Sequence, residues 1–172
     1  MIQSFFQVAV AAAIFTSGGD DPAGPRGPVA GTEPRPTEVS RYTGTEAQIE
    51  VATPAVESAD IDIDGRLDDA SWEQAAILDG FTQYDPIEGS AASQRTEVLV
   101  LVDSDAIYFA VRAYDENPSE IRATLSERDS FTFSDDYIRF VLDTFDDQRR
   151  AYVFTVNPLG VQHDGLWNES GG

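Results

Sequence analysis

The sequence predicts an all-β fold, an antiparallel β-sandwich, and three observations predict it. Short runs rich in Val, Ile, Phe and Tyr recur four times between Thr96 and Val156, each of strand length. Acidic or Gly- and Pro-bearing turn segments separate them. Helical periodicity is nearly absent, with one short N-terminal helix as the exception, so two layers of strands are the packing solution left.

The elements follow in chain order. ADIDIDGRLDDASWEQAA alternates apolar and acidic residues through Ile61 and Ile63, which reads as a short strand, and turns at Asp64-Gly65. Asp68 or Asp69 then offers an N-cap for a short helix over Ala70 to Ala76, with Trp72 as a core anchor. Thr96 to Val102 is apolar on both faces and suits a central strand covered on both sides. After Asp103-Ser104-Asp105 the strand Ala106 to Tyr114 returns, making a hairpin. Pro118 leads through a short helical turn toward Glu127-Arg128-Asp129. A second hairpin pairs Tyr137 to Asp143 with Ala151 to Val156 across a turn at Phe145 to Arg149. Asn157 to Gly160 turns the chain again, and Val161 to Gly165 starts another extended piece. Five or six clear strands leave open edges that natural sheets cover or blunt, so the chain is expected to stop inside the fold.

Composition narrows the function. Eleven basic residues, all Arg, stand against 31 acidic ones in 172 residues, a net charge of −20. Nucleic acid and anionic membranes repel such a chain. Cysteine is absent, which removes disulfides, thiolate metal sites and a Cys nucleophile. Residues 5–15, FFQVAVAAAIF, are an apolar run followed by small and polar residues, the pattern of an export signal and too short for a membrane span. The organisation expected is a signal peptide over 1–18, a Pro- and Gly-rich linker over 19–57, and an incomplete sandwich over 58–172. The compartment expected is periplasmic, outer-membrane associated or extracellular.

Three stretches carry a family resemblance: IDIDGRLDDASWEQA, TEVLVLVDSDAIYFAVRAYDENPSEI, and RDSFTFSDDYIRFVLDTFDDQRRAYVFTVNPLGVQHDG. Their ordered succession resembles family 9-like carbohydrate-binding domains, related to DOMON domains and found at the N-terminus of exported bacterial proteins with a DUF5916 region. The resemblance implies a noncatalytic saccharide-binding β-sandwich in a longer polypeptide, which can include a glycoside hydrolase. It also implies structural calcium.

Sugar recognition needs aromatic faces for the apolar side of a pyranose and planar polar groups for its hydroxyls. Tyr108, Arg112 and Tyr114 share one side of their strand and supply both, although Arg112 bridging a neighbouring carboxylate is the plainer reading. Trp167, and Asn157 on the preceding connection, are further candidates, with packing and turn capping as the alternatives. For calcium, Asp103 and Asp105 in one turn and Asp143 and Asp146 in another are the candidate ligands, with solvated turns as the alternative. His163, beside Asp164, has no nucleophile motif around it, so no catalytic residue is assigned.

Overall fold

The computed structural model describes residues 39–48, 50–130 and 132–170. The expected signal peptide, and residues 19–38 and 49 of the expected linker, lie outside the described residues. The described chain is mostly β-structure in two sheets. β1 (Arg41–Thr43), β2 (Ala76–Asp79), β3 (Thr96–Val102) and β4 (Ile107–Ala113) form one sheet in that order. β5 (Ile138–Leu142), β6 (Arg150–Val156) and β7 (Gln162–Asn168) form the other. Short 3-10 turns at Gly44–Glu46, Ala70–Gln74 and Pro118–Glu120 are the only helical pieces among the described residues.

β3 organises the first sheet because both its faces are apolar, as its sequence requires. Leu99 and Leu101 point into one cluster with Trp72, Ala75 and Ala110, over which Val56, Ala59, Ile61 and Leu67 pack. Val98 and Val100 point the other way, into a cluster with Ala76 and Leu78. Phe109 and Val111 border this second cluster, and Phe140 of β5 reaches it from the other sheet. The Phe109 and Phe140 rings meet there with centroids 4.7 Å apart.

Both expected hairpins form. β3 and β4 pair antiparallel from Thr96 opposite Ala113 to Val102 opposite Ile107. β5 and β6 pair from Ile138 opposite Val156 to Leu142 opposite Tyr152, and β7 continues the sheet antiparallel to β6. Trp72 is buried, as an anchor should be.

Four expectations change. The helix over Ala70 to Ala76 is a five-residue 3-10 turn ending at Gln74, and β2 begins at Ala76. One helical turn is too short to persist on propensity alone, so the burial of Trp72 and the fit of Ile77 and Leu78 beside β3 decide the local structure. No strand forms at Ile61 to Ile63: Ile61 packs on the Trp72 cluster while Ile63 is exposed. Arg41–Thr43, within the span read as linker, is a strand, and it pairs parallel to β2, the one parallel pair of strands among the described residues. Trp167, expected outside any strand, lies within β7 opposite Ala151.

Gly80 lets β1 approach the end of β2. Its φ is +59°, and a Cβ there would lie 2.5 Å from Thr43 Cγ2, so only glycine fits.

A buried polar clasp ties the loop before β5 to the turn after β6. Thr124 donates to Asp135 through its backbone amide at 2.7 Å and its hydroxyl at 2.9 Å, and Asn157 Nδ2 donates at 3.2 Å. These bonds, the Thr124 amide foremost, hold the Asp135 carboxyl below the usual carboxylate range. A carboxyl depressed in the folded state stabilises fully above its unfolded value of about 3.9, and that stabilisation is lost as pH falls through the folded value. Asp135→Asn is therefore expected to lower the urea midpoint at neutral pH and to flatten its decline between about pH 6 and pH 2. A variant whose midpoint falls as steeply with acid as the parent's would remove Asp135 from the account.

Candidate functional site

One face of the first sheet changes character along its length. At the end near the β3–β4 turn it carries the Trp72 cluster, and at the opposite end the same parity carries Glu97 of β3 and Arg95, just before the strand, in place of further leucines. Arg112 stands directly opposite Glu97, and the Tyr114 amide donates to the Arg95 carbonyl at 2.9 Å, which sets Tyr114 beside Arg95.

The Glu97 carboxylate is the hub. Its side chain is only 7% exposed, and three guanidiniums converge on it: Arg95 at 2.6 Å, Arg41 at 3.4 Å and Arg112 at 3.8 Å. The Tyr114 hydroxyl donates to its other oxygen at 3.5 Å, a weak bond. Arg95 also lies over the Tyr114 ring, 5.0 Å from its centroid. Arg41 arrives on β1 and binds the Asp79 carboxylate of β2, which accepts from the Thr43 hydroxyl as well. The bond to Asp79 pushes the Arg41 pKa up, so this cation is firmly held in its charged form. A shallow hollow lined by Arg41, Tyr42, Ala47, Gln48 and Glu50 adjoins the cluster.

The expected sugar-binding residues do not all meet. Arg112 and Tyr114 are together in this cluster, partly exposed, and Arg112 does bridge a neighbouring carboxylate. Tyr108 shares their side of β4 but sits about 13 Å along the strand from Arg112. There it packs on the Trp72 cluster and donates to Asp103 at 3.1 Å. Burial, then the bond to Asp103, pushes its phenol up. Asn157 is buried at 4% exposure, with its Nδ2 donating to Thr124 and Asp135 and its Oδ1 accepting from the Leu159 and Val161 amides. Every hydrogen-bonding direction of that amide is occupied, so its role is to clasp the turn, and no hydroxyl reaches it. Trp167 is half exposed on the second sheet.

The expected calcium ligands lie in two different hairpin turns. Asp103 accepts from the amides of Ala59, Asp105 and Ala106 and from the Tyr108 hydroxyl, which pulls its carboxyl below the usual range, the Asp105 amide foremost. Asp143 accepts from the amides of Phe145 and Gln148, and Asp146 adopts a left-handed φ of 51° within that turn. The Asp103 and Asp143 carboxylates serve as turn caps, and among the described residues no three His, Cys, Asp or Glu are grouped to hold a metal ion.

A second surface went unread in the sequence. Phe145, Tyr152 and Phe154 line up on the second sheet with centroids 5.6 and 6.5 Å apart and each pair of rings inclined by 27°. All three are partly exposed, as is Leu166 opposite Tyr152. The alternation at Tyr152 and Phe154 was legible, but it signals a buried face as readily as an open one. Arg95 and Glu97 were also legible, as a charge pair at the start of an apolar strand. Arg41 was hidden in the apparent linker.

Removing the hub should be costly. Glu97→Ala leaves three guanidiniums facing one another, and since they retain contact with water the expected loss is about 1–3 kcal/mol, below the value for fully buried pairs. Added salt should recover part of it by screening their repulsion. Urea unfolding at low and high salt measures both; an unchanged midpoint would show that the cluster contributes nothing to stability. No protein-family model matches the chain, and neither a curated protein nor a solved structure does.

Proposed function

We propose that this chain is a noncatalytic saccharide-binding β-sandwich module of an exported protein, of the family 9-like kind that its sequence resembles. The observation that carries the reading is the cluster of Tyr114, Arg95, Arg112 and Arg41 around Glu97. An exposed phenol ring gives an apolar face for a pyranose. Planar guanidiniums beside it donate hydrogen bonds in pairs, as vicinal hydroxyls accept them. Glu97, gripped from three sides, fixes those donors before a ligand arrives, which reduces the ordering cost of binding. The role is one of holding or delivering a longer protein at a glycan, with no bond made or broken.

A second reading, an architectural domain with no sugar ligand, is favoured by a different observation. Tyr152, Phe154 and Leu166 leave an apolar patch on the second sheet, and patches of this kind mark protein contacts.

Isothermal titration against a panel of mono- and oligosaccharides separates the two. Binding is expected with at least one saccharide, and Tyr114→Ala should weaken it about tenfold, the range of one lost aromatic contact. Heat from no saccharide would sink the binding module and leave the architectural reading. Calcium is tested in the same protein: because Asp103 and Asp143 already cap backbone amides, a chelator is expected to leave the unfolding midpoint unchanged. A fall in midpoint on chelation, restored by added calcium, would establish the structural ion that the resemblance implies.

A further inference from the structure

The cluster around Glu97 has a charge balance found nowhere else among the ion pairs of the described residues. The chain carries nearly three acids for each base, and among the described residues each other arginine that forms an ion pair meets at least one carboxylate. Arg66 meets Asp68, Arg150 meets Asp147, and Arg128 meets two, Asp129 and Asp164. Around Glu97 the proportion inverts, with three guanidiniums facing two carboxylates, Glu97 and Asp79. The three are not equally committed. Arg95 and Arg41 hydrogen-bond to Glu97, whereas Arg112 is held only by an ion pair at 3.8 Å, with its side chain 39% exposed.

We infer that the saccharide taken at this site is an acidic one, bearing a carboxylate or a sulfate, which pairs with the Arg112 guanidinium while its ring lies against Tyr114. This rests on the saccharide-binding reading above and names the class of ligand. A guanidinium fork matches a planar carboxylate, or two oxygens of a sulfate, in bidentate geometry. The overall charge of −20 does not prevent this, because at physiological ionic strength charges beyond about 8 Å are screened, and the nearest groups decide. Glu50 is an acid that works against it, and it lines the adjoining hollow together with Arg41 and not with Arg112.

The test titrates the full chain with oligogalacturonate, with its methyl ester, with a sulfated oligosaccharide, and with a neutral oligosaccharide of equal length. At least one of the two acidic probes is expected to bind about tenfold more tightly than the neutral one, with affinity falling as salt rises. If it is oligogalacturonate, esterification should abolish the advantage. Arg112→Gln should erase the preference and Arg112→Lys should keep part of it, since Lys retains the charge without the fork. Arg66→Gln, which removes the same charge at an exposed pair elsewhere, should leave it intact. Acidic and neutral probes binding equally, or a preference that survives Arg112→Gln, would overturn the acidic class while leaving saccharide binding standing. Heat from none of the probes would overturn both.

Discussion

The two-sided burial of β3 is the constraint on which the rest of the structure depends. Leu99 and Leu101 on one face and Val98 and Val100 on the other are almost wholly removed from water, so each side of this strand needs its own cover. Trp72 and the segments around Val56, Ile61 and Leu67 supply one cover, and Phe140 reaches in from the other side. Because side chains alternate strictly, the register that buries Leu99 also commits Glu97 to the Trp72 face, at the end where that cover runs out. The charged cluster is thus a consequence of the same alternation that builds the core.

Much of this was legible in residues 96–156. TEVLVLV announces a strand buried on both faces, and the acidic turn after it announces the hairpin, because period and turn chemistry are local properties. What escaped was decided at a distance. β2 hides behind a helix-like run because Ala75 and Ala76 accept either state, and the neighbouring β3 chooses. β1 lies in a Pro- and Gly-rich context with three residues to its name, and only its parallel partner makes it a strand. Asn157 and Trp167 read as polar or isolated in sequence, while a buried clasp and a paired strand are what they join.

The site was legible in halves. Arg112 and Tyr114 could be placed on one side of one strand, and the presence of a carboxylate partner could be anticipated, but not its identity. The residues that give the cluster its character come from three strands: Glu97 from β3, Asp79 from β2 and Arg41 from β1. No spacing rule joins positions so far apart in the chain. The aromatic row on the second sheet teaches the complementary lesson, since alternation identifies which residues share a face but not whether anything lies over it.

The short parallel strand β1 has a thermodynamic consequence. It delivers one of the three cations, yet it holds to the sheet by a three-residue pairing at an edge, a place where local opening costs little. Any anion that draws on all three guanidiniums would favour the docked state over the frayed one. Occupancy and edge order are then linked by mass action: the ligand would tighten the strand, and a loosened strand would release the ligand.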